Sequence, residues 1–559
     1  MTSRRSILVG ALTTVGSAHA FKTSEPIRSR FLNIQRTPDY ADAYASGQRI
    51  ALTRSDSRWT ASGISITAAP HSSGLPIVLS APGIEPERIH LRWHVQISGE
   101  PLLLGDAWER SYGELGWRSL IPERAMPWYF LVSNGGITDG YGVKTQAASL
   151  CFWQLDAQGV SLWLDVRNGG SGVRLGDREL LAATVIARQG TKEEAPMEAA
   201  TAFCRALCDH PRLTHYPLYG SNDWYYAYGK NSAEQTLRDA TLMAELSVGN
   251  KVRPFTVIDM GWEDGSPTFP SMPELASQMK RSDVHPGLWI RPLEAGKDHP
   301  ANLLLPSARF GKLSERASEL AFDPTIPEAL ELVTAKIKTP ISWGYELIKH
   351  DYSTYDLLGK WGREMGPEPE YGGWHLHDRS RTNAEVILDL YKALRISSGE
   401  SAVLIGCNTI GHLGAGVFEV QRTGDDTSGR EWERTRRMGV NTIAYRLPQH
   451  NTFFALDPDC VGITTAIPWN LNRQWLELIA NAGVALFVSA SADATGPEQR
   501  AAIKDAFKKV VSRRPRVVPE NWFRDSTPES WIPLGKVANP TTRQVYRWSD
   551  ASGCPPFEV

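Results

Sequence analysis

Between residues 214 and 500 the chain repeatedly alternates a short apolar run with a longer stretch of helical periodicity, and this rhythm restricts the possible fold more than any other feature. Eight strand-like runs fall at 218–224, 255–262, 287–291, 345–351, 402–408, 418–426, 452–459 and 484–490. Helix starts are readable between them. Ser232 with Gln235 and Thr382 with Glu385 form capping boxes, and Ser271 precedes Pro273 at an early helical position. Eight βα units in these 287 residues fit a (β/α)8 barrel. A doubly wound open sheet is the rival, but no Gly-rich nucleotide loop follows the first run.

The rhythm differs on either side. Upstream, short period-two segments such as 89–95, 149–153 and 160–166 predict antiparallel strands, most simply a β-sandwich, closed by a helix near 195–209. Downstream, 512–518, 531–537 and 544–548 read as strands of a small terminal sheet. The chain therefore divides into an export signal (1–20), a β-sandwich (21–213), a barrel (214–504) and a small C-terminal β domain (505–559).

The first twenty residues read as an address. Arg4 and Arg5 precede the apolar Ser6-Ile7-Leu8-Val9-Gly10-Ala11-Leu12, and Ala18-His19-Ala20 is a small-x-small cleavage site. The paired arginines are similar to a bacterial twin-arginine signal, the alternative being an ordinary secretory signal with two basic residues, and either way a periplasmic or secreted protein is expected. No later segment is apolar for the 18 or more residues a membrane span requires. Six cysteines, at 151, 204, 208, 407, 460 and 554, are too few for a disulfide scaffold, and Cys204 and Cys208 read as buried thiols. The net charge is −2 and evenly spread, which argues against nucleic acid as the main ligand. The 19 tryptophans hint at sugar rings, whose C–H faces pack on indoles, although β-rich cores also use Trp.

Barrel chemistry sits at the C-terminal ends of the strands. The fourth run ends Lys349-His350-Asp351 and the sixth Gln421-Arg422-Thr423-Gly424-Asp425-Asp426. Asp351 and Asp426 are 75 residues apart, about two βα units, so they are expected to face each other across the mouth. Cleavage of a glycosidic bond needs such a pair, one carboxylate attacking the anomeric carbon and one carboxylic acid protonating the leaving oxygen. A spacing of about 5 to 5.5 Å gives retention of configuration. Burial beside another carboxylate would raise the pKa of the acid. Taken singly, either Asp reads as a cap or turn residue; their joint placement favours catalysis.

Lys349-His350-Asp351, Gly406-Cys407-Asn408, Arg422-Thr423-Gly424-Asp425-Asp426-Thr427 and Asp457-Pro458-Asp459-Cys460 resemble, in order and spacing, the motifs of the family 36 glycoside hydrolases, the α-galactosidase group, related to families 27 and 31. The resemblance covers roughly 214–500. It implies Asp351 as nucleophile, Asp426 as acid/base, and Arg422, Lys349, Cys407, Trp224 and Trp289 as sugar contacts. Asn408 and Trp262 join the candidate set by their place in the motifs. One departure stands out: two adjacent carboxylates usually end the second strand and hold the C4 and C6 hydroxyls, whereas here Asp259 is followed by Met260. Glu263 or Asp264 could compensate from the next loop. Arg291, at the end of the third run, could pair with an acidic or modified sugar, or be an ordinary ion-pair partner.

The remaining motifs point elsewhere. The long 357–381 loop, with Trp361, Trp374, His375 and His377, is a candidate subsite wall. The two histidines read as surface residues and no metal is expected. Asp457 and Asp459 read as a structural turn. Arg434–Arg437 and Arg513–Arg516 read as solvated faces. The expected protein is an exported retaining α-galactosidase-like hydrolase that needs no cofactor and binds a carbohydrate. The alternatives are an α-glycosidase or transglycosylase for another sugar, or a carbohydrate binder that has lost catalysis.

Overall fold

The computed structural model describes residues 31–316, 318–512, 516–535 and 542–549. The leader, Cys554 and Arg513 to Pro515 lie outside the described residues.

Two antiparallel sheets, of six and eight strands, occupy the N-terminal part. The expected strands appear as Pro86–His94, Leu150–Asp156 and Gly159–Asp165, adjacent in the six-stranded sheet. Alternation places Ile89, Leu91 and Trp93 inward, all fully buried. The sheets meet where Phe130 of one lies edge-on to Trp153 of the other, ring centres 5.6 Å apart. The closing helix, Pro196–Leu207, presses Phe203 so tightly on Gly140 that an added Cβ there would fall 2.1 Å from the ring.

The middle of the chain forms a nine-stranded sheet, every neighbouring pair parallel. Its strands are β1 (Tyr219–Asn222), β2 (Phe255–Ile258), β3 (His285–Ile290), β4 (Leu347–His350), β5 (Val403–Gly406), β6 (Val420–Arg422), β7 (Ala455–Asp457), β8 (Val461–Ile463) and β9 (Leu486–Ala490). The order is β7-β6-β5-β4-β3-β2-β1-β9-β8. The seventh expected run, 452–459, holds β7 alone, and β8 is a ninth strand beyond the eight expected from sequence. β7 pairs with β6 and β8 with β9, and only Pro458, Asp459 and Cys460 separate them. The break has a local cause: Pro458 has no N–H to donate, and Asp459 takes a left-handed φ of 73°. The two edge strands of the sheet are therefore neighbours in sequence.

All three expected helix caps form, but of the two expected capping boxes the one at Ser232 does not close, since Gln235 Oε1 makes no hydrogen bond. Ser232, Ser271 and Thr382 accept from the N–H groups of Gln235, Glu274 and Glu385, and Thr382 with Glu385 closes a reciprocal box. An apolar cluster distinct from the main core draws Phe255, Val257, Leu347, Val403, Ile405, Val420, Ala455 and Phe487 from successive strands, with Trp224 and Tyr228 packed on it. Three short antiparallel strands, Val517–Pro519, Ser530–Pro533 and Gln544–Val545, form the terminal sheet, somewhat shorter than the sequence suggests. Among the described residues no helix is long and apolar enough to cross a membrane.

Candidate active site

Parallel register brings the ends of these strands to one edge of the sheet: Trp289 is opposite Lys349, His350 opposite Gly406, and Arg422 opposite Asp457. Asp351 follows β4 directly. Its Oδ2 accepts the indole N–H of Trp289 at 3.2 Å and its Oδ1 the backbone N–H of Tyr352 at 2.8 Å. Tyr352 has a φ of 64°, which a non-glycine residue adopts at a cost of about 1–2 kcal/mol, so its N–H is aimed at the carboxylate by strain.

Asp426 lies beyond β6 with its side chain 36% exposed. Its Oδ1 meets the guanidinium of Arg422 at 3.1 Å and that of Arg110 at 3.5 Å. The same two guanidiniums reach the Cys407 thiol, at 3.3 and 3.7 Å. Burial of that thiol pushes its pKa well above the ordinary value, and Asp351 pushes the same way. Burial likewise raises the Tyr352 phenol to about 12, with Asp351 and Asp426 both adding to the rise.

The expectation that Asp426 would have a raised pKa is not met. Burial pushes it up, but Arg110, Arg422, Lys349 and Arg434 together outweigh burial and hold it near 2. Only Arg422 was visible as a neighbour in sequence. The decisive cation, Arg110, arrives from the N-terminal sheets, 316 residues away.

Lys349 points at Asp259, 2.6 Å from its Oδ2, which also accepts from Asn222 at 2.7 Å. Oδ1 accepts the N–H of Met260. Beside it Asp223 accepts the N–H of Asp259 at 2.8 Å; burial, with Asp259 adding like charge, raises Asp223 to about 8 and keeps it protonated at neutral pH. Asp459 is a structural knot, as expected, accepting from Arg422 at 2.8 Å, from Thr427 and from Tyr225. Asp264 caps the N–H of Met272 at 2.8 Å, so it is committed to a helix start, while Glu263 is exposed.

Several candidates are occupied elsewhere. Arg291 grips the fully buried Asp356 at 2.6 Å and Glu319 at 2.9 Å, and lies over the Tyr352 ring at 4.3 Å. It is an ion-pair partner. Asn408 is fully buried; it donates to Glu109 and accepts from the N–H of Tyr355 at 3.1 Å, so it supports the mouth from behind. Trp262 donates to the Trp289 carbonyl at 2.8 Å and packs edge-on against Trp343. Arg434 and Arg436 are not a solvated face: Arg434 holds Asp425 at 2.7 Å, and Arg436 holds Glu433 at 2.8 Å. Of the 357–381 loop, Trp361 stacks on Tyr355 and meets Tyr352 edge-on, 5.4 Å away, beside Asp351. Trp374 is buried against Gly169 instead. His375 and His377 are exposed, and no group of metal-ligating residues occurs among the described residues. The five described cysteines are free and buried.

The fold is that of the family 36 glycoside hydrolases. An α-galactosidase from Thermus thermophilus, solved with p-nitrophenyl α-D-galactopyranoside, is 16% identical, with 90% of this chain and 98% of that one covered and a TM-score of 0.57. A point variant of the family 36 α-galactosidase AgaA from Geobacillus stearothermophilus, solved with 1-deoxygalactonojirimycin, is 10% identical over 89% and 77% of the two chains, TM-score 0.52. A cycloalternan-degrading enzyme from Trueperella pyogenes is 11% identical over 88% and 86%, TM-score 0.51. No protein-family model and no curated protein matches the chain.

Proposed function

We propose that this protein is a retaining α-glycoside hydrolase in which Asp351 is the nucleophile and Asp426 the general acid/base. The observation that carries this reading is a chain of contacts joining the two carboxylates: Asp426 meets Arg110, Arg110 lies over Trp361, Trp361 packs edge-on to Tyr352, and the Tyr352 N–H holds Asp351. The β-sandwich, (β/α)8 barrel and terminal β domain are part of the proposal: β7 and β8 are read as halves of one broken strand, which would close the nine strands into a barrel around the second apolar cluster.

In the first step an Asp351 oxygen attacks the anomeric carbon, the bond to the leaving oxygen breaks, and Asp426 gives that oxygen its proton. In the second, Asp426 takes a proton from water, the water oxygen attacks the glycosyl ester, and Asp351 leaves as carboxylate. Trp289 and the Tyr352 N–H fix the nucleophile. Arg422 fixes the acid/base, and the cations around Asp426 favour its ionised form, the state in which the second step begins. Lys349 and Asp259 form the sugar-binding floor, with Trp224 joined to Asp259 through Asn222.

The sugar is galactose-like on the strength of the neighbours' ligands. A different sugar is the second reading, favoured by Met260 at the end of β2: its thioether is a poor acceptor, and a hydroxyl facing it would lose about 1–3 kcal/mol. The leader supports export to the periplasm or beyond. A panel of aryl α-glycosides assayed with wild type, Asp351→Ala and Asp426→Ala tests the whole reading. Turnover of α-galactosides that both variants abolish is expected. Turnover of another glycoside alone supports the second reading, and no turnover at all supports a binding protein.

A further inference from the structure

Arg110 comes from the connection between the strands Leu102–Gly105 and Met126–Pro127 of the N-terminal sheets, yet its guanidinium is almost completely buried in the mouth of the parallel sheet. The connection is held there by a single parallel bridge. Ser111 pairs in parallel with Gly424, its N–H donating to the Thr423 carbonyl at 3.0 Å and its carbonyl accepting from Asp425 at 2.8 Å. Gly424 has no room for a side chain, since a Cβ would lie 2.3 Å from the Met438 carbonyl. Arg446 donates to Asp106, to the Glu109 carbonyl and to the Thr423 carbonyl, tying both sides of the contact. Glu109 itself accepts from the N–H of Gly362 at 2.7 Å and from Asn408.

Within this frame one Arg110 nitrogen holds Asp425 Oδ1 at 2.7 Å and the other reaches Asp426 Oδ1 at 3.5 Å, with Trp361 beneath it at 5.6 Å. Arg422 approaches the same Asp426 oxygen. We propose that Arg110 is a positioning residue for the acid/base: with Arg422 it fixes Asp426 through Oδ1, leaving Oδ2 to carry the transferred proton. The N-terminal sheets are then a working part of the active site. This rests on the glycosidase reading for its catalytic meaning, but not for its geometry.

The groups that bear on Asp426 come from four directions. Arg110 reaches it from the N-terminal connection, Arg422 from β6, Lys349 from β4 and Arg434 from the helix after β6. Tyr225 and Tyr352 face it as phenols that Asp426 pushes upward. Asp425 and Asp459 compete for the two guanidiniums. A lysine at 110 would keep charge without the fork that spans two carboxylates.

The test uses the full chain labelled with carboxyl-13C aspartate, with Asp426→Asn identifying the resonance. In Arg110→Ala the Asp426 titration midpoint is expected to rise by about one pH unit, and the pH at which kcat/KM begins to fall moves up with it. Arg110→Lys is expected to restore most of the midpoint but not the rate on substrates with poor leaving groups. An unchanged midpoint, or a kcat/KM lowered by the same factor at every pH, overturns the proposal. If the wild type turns over no glycoside, the glycosidase reading fails, and the carboxyl titration still decides whether Arg110 controls Asp426.

Discussion

Trp289 donates its indole N–H to Oδ2 of Asp351 from the neighbouring strand, at 3.2 Å. Replacing it with phenylalanine keeps the ring and deletes the donor. A hydrogen bond to a charged oxygen is worth about 1.5–3 kcal/mol, so Trp289→Phe should lower kcat/KM about ten- to a hundredfold while thermal unfolding stays near wild type. Unchanged kinetics would mean that Tyr352 alone orients the nucleophile.

The cations around Asp426 set a pH dependence. Its folded pKa, near 2, is below the unfolded value of about 3.9, so its ion pairs stabilise the fold above that value and the contribution is lost as pH falls toward 2. In the proposed first step it must be protonated to act as acid, and that fraction drops about tenfold for each unit above its pKa. For α-glycosides with poor leaving groups kcat/KM should therefore be higher at about pH 4 than at about pH 7. A maximum at or above neutrality would show that the acid lies elsewhere.

Arg291 is committed to ion pairs with Asp356 and Glu319. Burial raises Asp356 to about 6, and Arg291 is the main group opposing that rise. Arg291→Ala leaves a buried carboxylate without its partner, which typically costs about 3–5 kcal/mol. A lowered urea midpoint, partly recovered in Arg291→Ala/Asp356→Asn, is the expected result. An intact midpoint with lost selectivity for acidic glycosides would reinstate Arg291 as a sugar contact.

The 357–381 loop is docked on the N-terminal sheets at Gly170, whose N–H donates to the Trp374 carbonyl and whose added Cβ would lie 1.9 Å from the Tyr371 carbonyl. Gly170→Ala must push the loop outward, at a cost of about 1–3 kcal/mol. Proteolysis within 366–373 should become faster, and KM should rise through Trp361. Equal protease resistance would mean that the contact yields without moving the loop.

The strands of the parallel sheet were legible because their apolar runs are bounded by turn residues, and the helix starts because Ser232, Ser271 and Thr382 are side chains that cap locally. The short strand β8 beyond Pro458 was not, since its pairing with β9 while β7 pairs with β6 is a long-range choice. Asp351, Lys349 and Arg422 could be picked out as strand-end residues. Arg110, Glu109 and Tyr225 could not, because nothing in their local sequence records a partner more than two hundred residues away. The same blindness left Arg291 open between two readings and produced the errors over the Arg434 face and the Asp426 pKa, where a charge was visible and its neighbours were not.

The stereochemistry of the first product formed tests the central claim most directly. Proton NMR of an α-galactoside, or of whichever α-glycoside is turned over, should record the α-anomer of the free sugar before mutarotation, and Asp351→Ala should abolish the signal. Appearance of the β-anomer first, or turnover that survives in Asp351→Ala, would contradict a double displacement through Asp351.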